Sequence, residues 1–234
     1  MSGQTVKLMI DGKEVFAKAG DTILKVATEN GIHIPTLCYL DGLSPYGGCR
    51  LCIVEVKGAP KPMTACTTPV SDNMEVITNS PQIIRYRKQI LELILAERVH
   101  VCSVCVANGS CELQELASKF GVDHTSVTRN WKQFELDMSH ERFVLDHSRC
   151  ILCTRCIRVC DEIEGVHVLD IKKRGEDSMI IIDLDEPWSA SYSCTSCGKC
   201  SAVCPVGAIY IKGKPLSETK RKELPEFIVG RRRR

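Results

Sequence analysis

Large aromatic side chains and long apolar runs are scarce in this sequence. Its 234 residues include five Phe, five Tyr and two Trp, and no run of 18 or more apolar residues occurs, so we expect no transmembrane segment. The first residues lack the basic stretch followed by an apolar one that marks a secretory signal. Neither Gly-x-Gly-x-x-Gly nor a Gly-x4-Gly-Lys-Ser/Thr phosphate loop is present. These absences argue against membrane insertion, secretion and nucleotide binding of the common types.

A strong charge of one sign is also missing. The formal net charge is only +2 at pH 7, which argues against a dedicated nucleic-acid-binding protein. The last four residues, Arg231 to Arg234, form a short basic run, and a run of this length is typical of a solvated terminus. We therefore expect no nucleic-acid partner, and we expect the residues from Lys212 onward to be solvated and mobile.

Cysteine, in contrast, is abundant, with 15 residues. This density indicates either a disulfide scaffold or a metal protein. The count is odd, so disulfides alone would leave one thiol unpaired, and a reducing cytoplasm would keep the thiols available as ligands. The sequence therefore predicts a cytoplasmic metal protein.

The residues before and around the first cysteines predict a small α+β domain. Thr5–Ile10 and Lys13–Ala17 have the character of two strands joined by a tight turn. A helix should follow to Glu29, with Asp21 as its N-terminal cap. Leu51–Val56 and Met74–Thr78 look like further strands. A ββα start with later strands is typical of the β-grasp fold.

Later segments alternate between helices and cysteine-rich loops. Pro81 to Arg98 carries apolar residues at helical spacing, and a shorter helix is expected from Glu112 to Phe120. The apolar stretches Val166–Ile171 and Met179–Leu184 flank a polar turn, which predicts an inserted hairpin.

The strongest pattern is the spacing Cys-x2-Cys-x2-Cys-x3-Cys, which occurs twice. In bacterial two-cluster ferredoxins, three cysteines of each run bind one [4Fe–4S] cluster and the fourth binds the other. A pair of zinc sites is the alternative, but zinc is usually held by two separated pairs of ligands. The repeat therefore predicts two [4Fe–4S] clusters. Their ligands are expected to be Cys150, Cys153, Cys156 and Cys204 for one, and Cys160, Cys194, Cys197 and Cys200 for the other.

The first cysteine block has the spacing Cys-x10-Cys-x2-Cys-x13-Cys, which is not that of plant-type ferredoxins. Gly47 and Gly48 would let backbone amides approach cluster sulfurs closely. Four cysteines after a β-grasp start resemble the [2Fe–2S] domain at the N-terminus of the large peripheral subunit of respiratory complex I and of iron-only hydrogenases. That resemblance implies one [2Fe–2S] cluster, and a structural zinc ion is the alternative. The four ligands would be Cys38, Cys49, Cys52 and Cys66.

The middle block of cysteines consists of Cys102, Cys105 and Cys111 only. No cysteine of the chain remains to supply a fourth ligand. The families just named use a histidine four residues before the first cysteine of this block. That position holds Arg98, which cannot ligate iron, whereas His100 lies two residues before Cys102. A three-ligand cluster, ligation by His124 and the absence of a cluster are the alternatives. The predicted ligands of this third [4Fe–4S] site are His100, Cys102, Cys105 and Cys111.

The cysteine blocks divide the chain into four regions, and the predicted fold class is α+β. A β-grasp [2Fe–2S] domain is expected first, followed by a small helical His/Cys3 [4Fe–4S] domain, a two-cluster bacterial-ferredoxin domain and a basic tail. The expected boundaries are residues 1–79, 80–140, 141–213 and 214–234.

Several runs resemble one family closely, over about Thr5 to Lys214. Three runs resemble the small iron–sulfur subunit of the diaphorase module in bidirectional NAD-linked [NiFe] hydrogenases. They extend from His100 to Gln114, from Arg149 to Gly165, and from Cys194 onward. The resemblance implies a non-catalytic electron-transfer subunit in a cytoplasmic oxidoreductase complex. Its partners would be a flavoprotein that binds FMN and NAD(P)H, and the small and large hydrogenase subunits.

Two other functions compete with this interpretation. The same electron-transfer subunit could belong to an electron-bifurcating hydrogenase or to an NAD-dependent formate dehydrogenase. A different class of function is a cluster-based redox sensor or a zinc-binding interaction module. We expect no catalytic residue in this chain and no FMN or NAD(P) bound to it.

Overall fold

A computed structural model describes residues 5–129, 131–132, 134–218 and 226–229 of the chain. The chain divides into two compact units. One consists of Met1–Tyr39 and Pro45–Leu91, and the other of Leu40–Ser44 and Glu92–Arg234.

The first unit is built on a five-stranded sheet. Its first two strands form an antiparallel hairpin, and the last strand pairs in parallel with the first. The strands are β1 (Thr5–Ile10), β2 (Lys13–Lys18), β3 (Ile53–Val56), β4 (Met63–Thr64) and β5 (Glu75–Ile77). The order across the sheet is β2-β1-β5-β3-β4.

One face of this sheet carries the core. Alternate residues of β1 point inward, so that Val6, Leu8 and Ile10 are buried while their neighbours are more exposed. The helix α1 (Ile23–Glu29) buries its apolar residues in the same core cluster. Its N-terminal cap is Thr22, whose side-chain oxygen accepts a hydrogen bond from the backbone N–H of Lys25, so the prediction of Asp21 as the cap is wrong by one residue.

The long helix α2 (Pro81–Glu97) confirms the helix predicted from Pro81. Ser80 caps its first turn, because its hydroxyl oxygen accepts from the backbone N–H of Ile83. Arg87 is buried on this helix and donates to the backbone carbonyls of Leu51 and Ile53, at 3.0 and 2.9 Å. These two residues flank Cys52, so the guanidinium group fixes the backbone on both sides of that cysteine.

The second unit contains short elements separated by cysteine-rich loops. Its strands are β6 (Leu136–Asp137), β7 (Phe143–Asp146), β8 (Leu169–Lys172), β9 (Met179–Ile182) and β10 (Ile209–Ile211). A three-stranded sheet has the order β10-β7-β6, and a separate antiparallel hairpin joins β8 to β9, as predicted. The helices are α3 (Glu112–Lys119), α4 (Arg155–Val159), α5 (Lys199–Val203) and α6 (Glu226–Val229).

The C-terminal residues are partly packed rather than solvated. Leu216 and Ile228 are both buried, and a Cβ atom at Gly42 would clash with the Ile228 side chain. The expectation of a solvated tail is therefore wrong at these two positions, because each supplies an apolar side chain to the second unit. Residues 219–225 and 230–234, which include the arginine run, lie outside the described residues.

Replacing Arg87 with Met should destabilise the first unit by about 2–3 kcal/mol, because two buried carbonyl oxygens lose a charged donor. Burial lowers the pKa of Arg87 to about 10, so the group stays charged at neutral pH. Hydrogen–deuterium exchange of a peptide covering β3 measures the effect, and faster exchange is expected in the variant. Arg85→Met is the matched control, since Arg85 lies exposed on the same helix. Equal protection in the Arg87 variant and the wild type would contradict this role.

Candidate iron–sulfur centres

All fifteen cysteines carry free thiols, and only Cys197 is exposed. Each predicted ligand set is brought together by the fold, in one of two ways. The first block converges through direct sulfur contacts, and each of the other three sets lines one cavity of its own.

The first set lies in the first unit with its sulfurs in contact. Cys52 Sγ and Cys66 Sγ are 3.4 Å apart, and the backbone N–H of Cys38 donates to Cys49 Sγ at 3.4 Å. Hydrogen bonds from Cys49 and Cys66 lower the pKa of Cys38 well below its usual range, and the pKa values of those two donors are raised in return. The four thiol groups therefore lie within hydrogen-bonding distance of one another, and thiols of such a group lose their protons when they ligate metal.

The loop that carries Cys49 needs glycine at two points. Gly47 has φ +69°, in the left-handed region that favours glycine, and a Cβ atom at Gly48 would clash with the ring of Tyr46. The two glycines thus allow the chain to turn sharply immediately before Cys49.

The second set lines a cavity of about 460 Å³, here called the His/Cys cavity. Cys102 begins a 3₁₀ turn that ends at Val104, and Cys111 is the N-terminal cap residue of α3. Gly207 also lines this cavity, and a Cβ atom at this position would lie 2.9 Å from Cys105 Sγ, so glycine leaves room for that sulfur. The cysteines of this set are Cys102, Cys105 and Cys111, and His100 lines the same cavity.

His100 has the properties of an unsatisfied metal ligand. Its Nε2 atom is buried and has no hydrogen-bond partner among the described residues. Burial, assisted by the charges of Arg98 and Arg149, lowers its pKa to about 4. The imidazole is therefore neutral at pH 7, which is the form that ligates metal.

The two residues that competed with His100 are placed differently. His124 also lines the His/Cys cavity, but its side chain is largely exposed and its Nδ1 atom lies 2.6 Å from Asp123 Oδ1. The guanidinium of Arg98 is buried, donates to the carbonyls of His147 and Ser178, and lies over the ring of Phe134. Arg98 is not among the residues that line the cavity.

The third and fourth sets come from the repeated motif, and the repeat is visible in the backbone. In each run, the residues two and four positions after the first cysteine have positive φ: Leu152 and Thr154 in one, Ser196 and Gly198 in the other. The left-handed residues reverse the chain so that it curls around a cavity. Each curl then enters a one-turn helix, α4 or α5, that carries the third cysteine of its run.

Each cavity contains one complete predicted set, including the cysteine contributed by the other run. We call these the Cys150 cavity and the Cys194 cavity. The fourth cysteine of each run lines the cavity of the other run, which is the arrangement of bacterial two-cluster ferredoxins. The Cys150 cavity contains Cys150, Cys153, Cys156 and Cys204. The Cys194 cavity contains Cys160, Cys194, Cys197 and Cys200.

Burial keeps Cys150, Cys153 and Cys156 neutral in the absence of metal. Desolvation raises the pKa of Cys150 to about 11, that of Cys153 to about 12, and that of Cys156 well above its usual range. Ionising such thiols together requires a cationic partner in the same cavity, so their deprotonation is coupled to metal binding. This chemistry suits iron–sulfur clusters, whose ligands are thiolates.

Trp188 is a residue of this site that the sequence reasoning missed. Its indole Nε1–H donates to Cys194 Sγ at 3.3 Å, and the side chain is buried. It lies six residues before the second cysteine run, in a segment interpreted only as part of an insertion. The rarity of tryptophan was the one sequence signal that could have drawn attention to it, because the chain contains just two.

Across the part of the chain that the structure describes, no helix combines the length and the apolar character needed to cross a membrane.

Three family models match consecutive parts of the chain. A 2Fe-2S iron-sulfur cluster binding domain matches residues 3–81. The iron-sulfur binding region of NADH-ubiquinone oxidoreductase-G matches residues 87–126, and the ferredoxin-like domain of NADH-quinone oxidoreductase subunit 3 matches residues 142–210. The chain therefore has a mixed α/β fold in which a 2Fe–2S domain is followed by 4Fe–4S binding regions.

Curated relatives are similar over almost the whole chain. The NADPH-Fe(3+) oxidoreductase subunit alpha of Geobacter sulfurreducens is 38% identical over 96% of this chain, and the match covers 27% of that protein. The NADP-reducing hydrogenase subunit HndD of Solidesulfovibrio fructosivorans is 38% identical over 86% of this chain and 35% of its own length. The NADH-ubiquinone oxidoreductase 75 kDa subunit of Reclinomonas americana is 36% identical over 92% of this chain and 30% of its own length. The chain thus spans about a third or less of these relatives, all of which are oxidoreductase subunits.

A solved structure is similar over nearly its full length as well. A chain in the crystal structure of an NAD+-reducing [NiFe]-hydrogenase in the H2-reduced state superposes with a TM-score of 0.85 at 30% identity. The match covers 91% of this chain and 89% of that one. The chain therefore belongs to the family of small iron–sulfur subunits of NAD-linked [NiFe] hydrogenases, which is related to the 75 kDa subunit of NADH-ubiquinone oxidoreductase.

Proposed function

We propose that this chain carries single electrons between a flavoprotein that binds FMN and NAD(P)H and a hydrogenase module, within a cytoplasmic complex. The observation that supports this most is the grouping of the ligands. Three separate cavities each contain one predicted [4Fe–4S] ligand set and no cysteine of another set.

The proposed cofactors are one [2Fe–2S] cluster and three [4Fe–4S] clusters. They occupy three successive regions, a β-grasp domain in residues 1–79, a helical His/Cys3 domain in residues 80–140 and a two-cluster ferredoxin domain in residues 141–213, followed by the tail from residue 214. The [2Fe–2S] ligands are Cys38, Cys49, Cys52 and Cys66, the His/Cys set is His100, Cys102, Cys105 and Cys111, and the ferredoxin sets are those of the Cys150 and Cys194 cavities.

Bound iron–sulfur clusters supply one-electron transfer, which suits a partner flavin that receives electrons in pairs as hydride. The contribution of this chain is to hold the ligands and to exclude water. The cysteines of the Cys150 cavity are all buried. The ion pair between Arg155 and Glu112 joins α4 to α3, with its two hydrogen bonds at 2.7 and 2.9 Å. Such a bidentate pair fixes both helices beside the ligand loops.

Metal analysis tests the cofactor proposal. The purified full-length chain should contain about 14 iron atoms and a matching amount of acid-labile sulfide, as one [2Fe–2S] and three [4Fe–4S] clusters require. Stoichiometric zinc with little iron would instead support the zinc-binding alternative and exclude electron transfer.

Purification of the intact complex tests the proposed partners. A tagged chain should bring with it an FMN-containing subunit and nickel-containing hydrogenase subunits, and the complex should reduce NAD(P)+ with H2. A partner that contains molybdenum or tungsten would favour the formate dehydrogenase alternative and contradict the hydrogenase proposal.

The replacement His100→Ala tests the proposed fourth ligand of the His/Cys set. It should remove or alter one [4Fe–4S] EPR signal, because the buried Nε2 atom of the neutral His100 imidazole has no hydrogen-bond partner among the described residues and can ligate metal. The signals of the other clusters should remain. His124→Ala is the matched control and should leave every signal unchanged, and the reverse result would identify His124 as the ligand.

A further inference from the structure

A side-chain hydrogen bond reaches one of the proposed ligand sulfurs in the Cys194 cavity. The indole Nε1–H of Trp188 donates to Cys194 Sγ at 3.3 Å, and Trp188 itself lines that cavity with the four cysteines of the set. In the Cys150 cavity the first cysteine of the run accepts instead from a backbone group, the N–H of Leu152, at 3.4 Å. The first cysteine therefore accepts a hydrogen bond from a side chain in one half of the repeat and from a backbone N–H in the other.

The surrounding packing holds the indole donor in one orientation. Trp188 is only 2% exposed. Its ring stacks on Phe143 with centroids 5.4 Å apart and planes inclined by 22°, and the ring of His140 lies 5.1 Å away. Its backbone N–H donates to Asp137 Oδ2 at 2.9 Å. Because both the ring and the backbone are fixed, the N–H cannot turn away from the sulfur without disrupting this packing.

The same donor is missing from the other half of the repeat. Trp188 stands six residues before Cys194, and the residue six positions before Cys150 is Val144, whose side chain has no hydrogen-bond donor. A hydrogen bond to a thiolate sulfur stabilises negative charge on that sulfur. Reduction of a cluster adds one negative charge, so a donor to its ligand favours the reduced form.

We propose that the indole N–H of Trp188 raises the reduction potential of the cluster in the Cys194 cavity and so makes the two ferredoxin-type clusters unequal. This inference rests on the proposed function, because it requires Cys194 to be a cluster ligand. Trp188 acts through that ligand, so it is a positioning residue for electron transfer and not a catalytic one.

The test is a redox titration of the full-length, cluster-loaded protein followed by EPR. Trp188→Phe keeps an aromatic ring against Phe143 and removes the N–H together with part of the indole ring. The equilibrium between reduced and oxidised cluster should shift about fivefold toward the oxidised form, which corresponds to a fall of about 40 mV for one electron. The signal of this cluster is identified as the one that Cys194→Ser alters. Tyr192→Phe is the control, because Tyr192 is fully exposed near the same cysteine run, and its potentials should match those of the wild type.

A second measurement detects the hydrogen bond directly. With ¹⁵N-labelled indole in the tryptophans, pulsed EPR of the reduced protein should show a ¹⁵N coupling on the signal of this cluster that is absent in Trp188→Phe. An unchanged potential in a Trp188→Phe protein that keeps its iron, or the absence of this coupling in the wild type, would overturn the inference while leaving the proposed function intact.

A third arm applies if Trp188→Phe fails to retain its clusters. Fluorotryptophan can then replace tryptophan, since its more acidic indole N–H should raise the potential of the same signal, and no shift would overturn the inference. A wild-type chain that holds no iron would instead contradict the proposed function itself, so the two failures are distinguishable.

Discussion

The burial of thiols in groups is the physical constraint on which the rest of this structure depends. A thiolate in an apolar cavity is costly, and several in one cavity repel one another, unless a cation shares the space. The fold brings cysteines together in four groups, and only one of the fifteen is exposed. Desolvation holds thiols such as Cys153 in the neutral form until metal arrives, so metal binding and the stability of these loops are coupled.

The short regular elements of the second unit follow from this constraint. Its helices α4 and α5 have five residues each, too few to be stable alone in water. They exist because a left-handed residue, Thr154 or Gly198, turns the chain immediately before each of them and aims the next cysteine into a cavity. Leu152 and Thr154 adopt positive φ without being glycine, a local strain that the surrounding packing must offset.

The two histidines near the middle cysteine block illustrate how environment separates residues of the same chemistry. Both line the His/Cys cavity. Burial keeps His100 neutral with a free nitrogen, whereas the exposed His124 is engaged with Asp123. Environment also separates the two halves of the ferredoxin repeat. Their cysteine spacing is equal, but Cys150 accepts a hydrogen bond from a backbone N–H and Cys194 accepts one from an indole N–H.

The sequence by itself determined the cysteine groups and the paired ferredoxin pattern, because ligand spacing is a local property of the chain. Apolar periodicity likewise indicated the strand Thr5–Ile10, a strand that begins at Met179 and the helix that begins at Pro81, although the second strand ends at Ile182 and not at the predicted Leu184. Only the tertiary structure decided which groups lie beside those ligands. The contacts of Trp188 with Cys194, of Arg87 with the backbone around Cys52, and of Ile228 with Gly42 join segments whose approach no local pattern encodes. Such contacts depend on tertiary packing. Tertiary packing also buries His100 and keeps it neutral, and it places the buried guanidinium of Arg98 against the carbonyl of His147.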